Sequence, residues 1–236
     1  MNISTFMAEL IGTAILVLLG DGVVANVVLK KSKGFNSGWM VIASGWAFAV
    51  GVPAYIFGSI SGAHFNPAVT IALAVTGKFA WSQVPMYILA QFIGAVIGSA
   101  LVLLTYYQHF EATEDQAAKL GVFCTAPEIR SNTWNFISEF IGTFILMFGI
   151  IGITAHPFAD GVQPLAISIL IWAIGLCLGG PTGYAINPIR DFGPRFAHFI
   201  LPVPGKGSSD WGYAWIPVVS PILGAIAGAL VYGMIF

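Results

Sequence analysis

Six long apolar stretches restrict this chain to one class of structure. A helix needs about 20 mostly apolar residues to cross the roughly 30 Å hydrocarbon core of a bilayer. The stretches cover residues 5–29, 39–58, 84–107, 134–155, 163–179 and 213–236. With 57% hydrophobic and only 8% charged residues, the chain lacks the polar surface of a water-soluble domain. The sequence therefore predicts an all-α membrane protein with six transmembrane helices.

Two further apolar pieces are too short to cross a bilayer, and each begins with Asn-Pro. A helix from Asn66 to Lys78 would rise only about 18 Å. Asn is a preferred N-cap and Pro is favoured at the first helical position, so Asn66-Pro67 and Asn187-Pro188 each predict a helix that begins at membrane depth. Irregular backbone is tolerated there only inside protein or beside a water-filled cavity. We therefore expect two re-entrant half-helices that line a cavity.

An internal repeat relates the two halves of the chain. The pattern Glu-x-Ile-Gly-Thr at Glu9 recurs at Glu139, and the third helix of each half agrees at the same offset. Three crossings per half is an odd number, so the second copy enters the membrane from the opposite face, an inverted repeat of the kind found in transporters. We assign 1–107 to the first repeat, 108–133 to an exposed connecting loop and 134–236 to the second repeat of a single domain, 1–236.

Half-helices that enter from opposite faces meet N-terminus to N-terminus. Each N-terminus carries about half a positive elementary charge. The meeting point therefore repels cations and protons, while the asparagine amides donate hydrogen bonds to a neutral solute. One isolated Asn-Pro would be interpreted as an ordinary turn, but two copies at equivalent places in a repeat favour a pore for uncharged solutes.

The stretches SGAHFNPAVT (61–70) and TGYAINPIRDFGPR (182–195) resemble the two signature motifs of the major intrinsic proteins, the aquaporins and glycerol facilitators. The resemblance extends over essentially the whole chain. It implies six tilted helices and two half-helices around one pore per subunit, usually in a homotetramer, with the N-terminus in the cytoplasm. We expect a multi-pass protein of the cell membrane with no cofactor and no metal.

A count of the basic residues in the loops predicts the opposite orientation of the chain in the membrane. The positive-inside rule would place the N-terminus outside, because six of the seven basic residues in the loops fall on one side. These six are Lys30, Lys31, Lys33, Lys119, Arg130 and Lys206, against Lys78 on the other side. We follow the resemblance, since the charges are few and a duplicated fold constrains both halves together.

The resemblance also assigns a selectivity filter. Arg190 lies at the positive end of the second half-helix, where a cation is electrostatically unfavourable. An arginine within a membrane is costly and by default functional, so we interpret it as a pore-lining group rather than a buried structural ion pair. Alignment with the family motifs adds Trp46, Gly175 and Tyr184. Water-selective members typically have a histidine in place of Gly175, so this chain resembles the glycerol-conducting branch.

Three positions depart from the familiar glycerol facilitators. Tyr184 stands where phenylalanine is frequent, and its hydroxyl makes the filter smaller or more polar. Phe65 stands where leucine is frequent and resembles the water channels. Ile189 replaces the usual alanine and is expected to tighten the central constriction.

Other polar residues are expected to support the pore. Glu9 and Glu139 lie inside helices, where an unpaired carboxylate is very costly, and the resemblance implies that they brace the half-helix loops. His64 is placed either at the cytoplasmic entrance or as a hydrogen-bonded loop histidine. Asp191 suits the first turn of a helix by its charge. The sequence assigns no role to Asp21.

The resulting function is a passive channel for glycerol and related small uncharged solutes, with some water permeability and exclusion of protons and ions. Dihydroxyacetone, urea and undissociated lactic acid are equally compatible. The alternatives are a water-selective aquaporin and, in a different class, a proton-coupled secondary transporter. The apolar segments contain no recognisable set of catalytic residues, which argues against an intramembrane enzyme. Nine Lys and Arg against ten Asp and Glu, without a basic stripe, argue against nucleic-acid binding.

Overall fold

Each predicted apolar stretch forms a helix in the computed structural model, which describes residues 3–236. The helices are α1 (Thr5–Val28), α2 (Trp39–Ser61), α3 (Pro67–Val75), α4 (Val84–Ala112), α5 (Gln116–Phe123), α6 (Asn132–Thr154), α7 (Val162–Leu178), α8 (Pro188–Ile200) and α9 (Ile216–Ile235). Five of them, α1, α2, α4, α6 and α9, are long and apolar enough to cross a membrane, and α7 is an apolar helix of 17 residues. Over residues 3–236 no β-strand is present.

Local sequence signals set several helix ends. The α2 helix runs three residues past its predicted end at Gly58 and is closed by Gly62, whose φ of 81° is a left-handed conformation that glycine adopts at low cost. The α4 helix continues past its predicted end at Tyr107 as far as Ala112, across a kink at Tyr106. The two half-helices, α3 and α8, begin directly after Asn66 and Asn187, as predicted.

Small residues bring the helices of each half into close contact. The α1 helix packs extensively against α4, and α6 packs in the same way against α9. A Cβ atom added at Gly98 would lie 2.6 Å from the backbone oxygen of Ala14, and one added at Gly228 would lie 2.5 Å from that of Phe144. Backbones this close leave no room for a side chain. The same contact therefore recurs in both halves of the chain.

The segment between the halves is not an exposed linker, and the sequence-based expectation is wrong for its middle part. It contains α5, which is capped by the Asp115 carboxylate. Val122, Phe123 and Cys124 are buried, and Lys119 is only 3% exposed. The Lys119 ammonium donates to the backbone oxygen of Pro204. The apolar run in this segment is too short to stand out from a polar connector, but it is long enough to anchor the segment on the helices beneath it.

Candidate functional site

The two half-helices are joined directly through their capping asparagines. The side-chain oxygen of each asparagine accepts from backbone N–H groups of its own helix. The Asn66 Nδ2 donates to the backbone oxygen of Ile186 at 2.9 Å, and the Asn187 Nδ2 donates to that of Phe65 at 2.8 Å. Each asparagine therefore binds the loop that precedes the other one, and the two helix N-termini face each other as predicted.

Glu9 holds the first of these loops. Its Oε1 accepts from the Ser61 hydroxyl at 2.7 Å and from the His64 N–H at 3.0 Å, while its Oε2 accepts from the Phe65 N–H at 2.8 Å and from the Gln91 amide at 2.9 Å. Four donors surround this fully buried carboxylate. Its burial is therefore compensated by hydrogen bonds.

Glu139 holds the second loop in the same way. Its carboxylate accepts from the Thr182 hydroxyl at 2.7 Å and from the N–H groups of Ala185 and Ile186, both at 2.9 Å. These bonds fix a backbone in which Tyr184 and Ile186 have φ values of 40° and 42°. The first loop repeats this pattern, since Ala63 and Phe65 have φ values of 51° and 47°. Non-glycine residues rarely adopt such angles unless their surroundings impose them, and the two glutamates supply that constraint.

A cavity of about 660 Å³ passes the meeting point of the half-helices. Trp46, Tyr184 and Arg190 line it on one side of the two asparagines, and Lys78 and Asp160 line it on the other. Most of its remaining wall is apolar, with Leu16, Val50, Leu146, Ile150, Ile167 and Ile171. A polar track on an otherwise apolar wall is suited to small solutes that have both a hydrogen-bonding edge and a carbon edge.

Arg190 lines this cavity and is also part of a buried ion pair. Its guanidinium carbon lies 3.9 Å from the centre of the Trp46 ring, and its Nη1 donates to the backbone oxygen of Phe123 at 3.2 Å. The same Nη1 lies 3.6 Å from an oxygen of Asp21, a fully buried residue. Pore lining and ion pairing are therefore not alternatives for Arg190, which does both.

Gly175 differs from its expected place, because it does not line the cavity. The Tyr184 ring covers it: a Cβ atom at position 175 would lie 2.7 Å from both Cζ and Oη of that ring. Trp39 secures the arrangement by donating from Nε1 to the Gly175 backbone oxygen at 2.8 Å and by meeting the Tyr184 ring edge-on at 5.7 Å. Gly175 thus provides the space that Tyr184 fills. Trp39 is a supporting residue that no sequence motif marks.

The Tyr184 hydroxyl is buried and has no hydrogen-bond partner among the described residues. An unpaired buried hydroxyl costs about 1–3 kcal/mol. We therefore expect Tyr184→Phe to raise the free energy of unfolding by about 1 kcal/mol, measured as a higher thermal unfolding midpoint in detergent. A lower midpoint would show that the hydroxyl has a stabilising partner.

The structure also shows the surroundings of two other candidates, His64 and Ile189. His64 lines the cavity, has its Nδ1 3.1 Å from the Thr70 hydroxyl, and packs against the rings of Phe79 and Tyr87. The expectation for Ile189 is wrong: it is buried but does not line the cavity, so it does not tighten the constriction. Its side chain lies near Gly193, where an added Cβ would lie 2.5 Å from the Cβ of Ala95, so this face of α8 packs against α4.

Asp191 forms a clamp rather than a simple helix-end charge. It pairs with Arg195 at 2.9 Å and accepts from the N–H and hydroxyl of Thr125 at 2.8 and 2.7 Å. Arg195, fully buried, also donates to the backbone oxygens of Ser209 and Thr125. The clamp joins α8 to the loop between α5 and α6, which contains Thr125, and to the loop that follows α8, which contains Ser209. The i, i+4 spacing of Asp191 and Arg195 is a signal that would have found this pair.

Lys206 closes the other end of α8. Its ammonium donates to the backbone oxygens of His198 and Phe199, both at 2.7 Å, and of Leu201 at 2.6 Å. Partial burial lowers the pKa of this lysine from its ordinary value. A cation at a helix C-terminus binds unpaired carbonyls and interacts favourably with the helix dipole. Both ends of the second half-helix are therefore fixed.

Helices that cross a bilayer, two half-helices joined at their N-termini and a cavity running past them define the class: a multi-pass membrane protein with a solute path through one chain. Residues 1–232 match the family model of the major intrinsic proteins. The chain belongs to this family.

Individual relatives agree over nearly the full length. The chain is 58% identical to the "Probable glycerol uptake facilitator protein" of Thermotoga maritima, over 99% of this chain and 100% of that protein. It is 55% identical to the "Glycerol uptake facilitator protein" of Bacillus subtilis, over 99% of this chain and 85% of that protein. The X-ray structure of the aquaglyceroporin from Plasmodium falciparum matches with a TM-score of 0.82 and 30% identity, covering 96% of this chain and 93% of that one. The predicted aquaporin-like fold is thereby confirmed.

Proposed function

We propose that this chain is a passive channel for glycerol and related small uncharged solutes, with some water permeability and with exclusion of protons and ions. One observation carries the proposal: a single cavity passes the joined asparagines and is walled at one end by Arg190, Trp46 and Tyr184. The relatives named as glycerol uptake facilitators support it. These three side chains form the filter, and Gly175 acts behind Tyr184.

The filter offers a solute two kinds of surface. The faces of Trp46 and Tyr184 contact the carbon edge of a polyol, while the N–H groups of Arg190 that are not bound to protein donate to its hydroxyls. At the asparagines, each amide retains a second hydrogen beyond the one given to the opposite loop. The positive helix ends repel cations there, so a neutral hydrogen-bonding solute passes and a proton does not.

The proposal also includes the organisation of the whole protein, which follows from the repeat in the sequence and from the resemblance to the family. Residues 1–107 and 134–236 form two inverted repeats joined by 108–133, in a homotetramer of the cell membrane with a cytoplasmic N-terminus. Dihydroxyacetone, urea and undissociated lactic acid share the size and neutrality of glycerol and belong to the same solute class. A water-selective channel is the second candidate, and the absence of a histidine at Gly175 argues against it.

The acidic residues near the asparagines argue against a proton-coupled transporter, because they are bound to protein groups and do not line the cavity. It would need a titratable relay at the midplane. Glu9 and Glu139 are each held by at least three donors, and Asp191 is paired with Arg195. None of these three residues lines the cavity.

Stopped-flow light scattering on proteoliposomes tests the function. We expect glycerol permeability about tenfold or more above that of empty liposomes, together with a smaller rise in water permeability and no proton leak by an internal pH dye. A strong rise in water permeability without any rise for glycerol would identify a water-selective channel instead. A glycerol flux that depends on a proton gradient would identify a transporter.

A further inference from the structure

Asp21 is a charged residue of α1 to which no sequence motif assigns a role. It is fully buried, and its Oδ1 lies 3.6 Å from Nη1 of Arg190. Arg190 is itself only 5% exposed, and an arginine guanidinium carries a positive charge in proteins. Buried charges in proteins are paired because desolvation without a partner is prohibitive. Asp21 is therefore the counter-charge that allows an arginine at this depth.

The sequence neighbour of Arg190 does not serve this purpose. Asp191 directs its carboxylate to Arg195 and Thr125. Over residues 3–236, Asp21 is the one acid whose oxygen lies within 4.0 Å of the Arg190 guanidinium. Arg190 also lies at the positive N-terminal end of α8, where a second positive charge is unfavourable. The negative charge of Asp21 offsets both the desolvation of Arg190 and the repulsion between Arg190 and the N-terminus of α8.

The interaction between Asp21 and Arg190 acts through charge rather than through a directed bond. A distance of 3.6 Å is too long for a hydrogen bond. By distance and angle, neither carboxylate oxygen of Asp21 has a well-formed hydrogen bond to a described residue. Among these residues, Ser99 on α4, through its hydroxyl, is the one neutral polar side chain close enough to interact with this carboxylate. Replacing the carboxylate by an amide of equal size therefore removes the negative charge and keeps an oxygen that can accept from Ser99.

We propose that Asp21 is a positioning residue of the filter. It holds the Arg190 guanidinium over the Trp46 ring and cancels its charge, so that the filter acts on solutes by directed hydrogen bonds rather than by net charge. Phe123 fixes one edge of the guanidinium through its backbone oxygen, and Asp21 fixes the side toward α1. This proposal rests on the proposed glycerol function, and it assigns the orientation of the filter donors to a residue outside the filter.

The orientation matters more for glycerol than for water. A polyol that is as wide as the filter must engage Arg190 with its hydroxyls while its carbon edge lies on the aromatic rings. A water molecule is satisfied by one donor in many directions. Loosening the guanidinium therefore raises the barrier for glycerol more than the barrier for water.

The test compares Asp21→Asn with the wild type in proteoliposomes, using glycerol and water as the probes. We expect the glycerol-to-water permeability ratio to fall about fivefold, with water permeability within about twofold of the wild type. Ser99→Ala is the matched control, because it empties part of the same pocket and keeps the charge, and we expect its ratio to be unchanged. The double variant Asp21→Asn/Ser99→Asp returns a carboxylate to the pocket and is expected to recover at least half of the lost ratio.

The outcomes separate the two claims. An unchanged ratio in Asp21→Asn, an equal fall of both permeabilities, or a ratio that stays low in the double variant would overturn the positioning role. Asp21→Ser, smaller and neutral, is measured by the same ratio if the amide variant does not assemble. Wild-type glycerol flux no higher than that of empty liposomes would contradict the proposed function itself, whereas high wild-type flux with an unchanged ratio contradicts only the role of Asp21.

Discussion

Glu139→Gln is expected to lower glycerol permeability at least about tenfold and to destabilise the protein by about 3 kcal/mol. The Glu139 carboxylate accepts from two backbone N–H groups and one hydroxyl. A glutamine has one acceptor oxygen and places an NH₂ donor against the remaining donors. At least one buried N–H of the loop before Asn187 is left unpaired.

Strain in the loop before Asn187 increases the effect of losing the Glu139 carboxylate. Tyr184 and Ile186 have left-handed backbone angles, each of which costs about 1–3 kcal/mol when not imposed by its surroundings. Without the carboxylate the loop relaxes, and both the Tyr184 ring and the cap at Asn187 move. The effect therefore reaches the filter and the meeting point of the half-helices together.

The measurements for Glu139→Gln are glycerol flux in proteoliposomes and the unfolding midpoint in detergent. Glu114→Gln is the matched control, since it makes the same chemical change at an exposed residue. Glu9→Gln is expected to resemble Glu139→Gln, because Glu9 holds the first loop in the same way. If Glu139→Gln had the same glycerol flux and the same unfolding midpoint as the wild type, the bracing role of Glu139 would be contradicted.

Gly175→His is expected to reduce glycerol permeability by about tenfold or more while leaving most of the water permeability. A Cβ at this position already lies 2.7 Å from the Tyr184 ring, so an imidazole displaces that ring toward Arg190. The filter becomes narrower and gains a polar edge. Water is small enough to pass such a gap, and glycerol is not.

The control for Gly175→His is Gly180→Ala, where no heavy atom of the described residues lies within 4 Å of the added Cβ. We expect Gly180→Ala to conduct both solutes as the wild type does. Gly175→Ala is expected to give an intermediate loss of glycerol flux, because its single methyl group already contacts the ring. Equal glycerol flux in the wild type and Gly175→His would show that Tyr184 does not form the narrow part of the pore.

The elements of this fold could be predicted because each one has a local signal. Apolar length locates the crossing helices, and Asn-Pro marks the starts of α3 and α8. The repeat relates Glu9 to Glu139, and burial inside a helix demands that both have partners. These inferences need only spacing along the chain and the rule that lipid satisfies no polar group.

Contacts between distant segments could not be predicted in the same way. Asp21 and Arg190 are far apart in sequence, and no periodicity shows that α1 presents its carboxylate to α8. The Tyr184 ring covers Gly175 because Trp39 and the loop backbone direct it there, a packing outcome that no motif encodes. The burial of α5 depends likewise on the surface that α1 and α8 provide.

A structure determined by cryo-electron microscopy or crystallography with glycerol present tests the central claim most directly. We expect glycerol between the Trp46 and Tyr184 rings with hydroxyls toward Arg190, on a continuous path that passes Asn66 and Asn187 in contact with each other's loops. Asparagines far apart, or an Arg190 side chain turned away from any continuous path, would contradict the account.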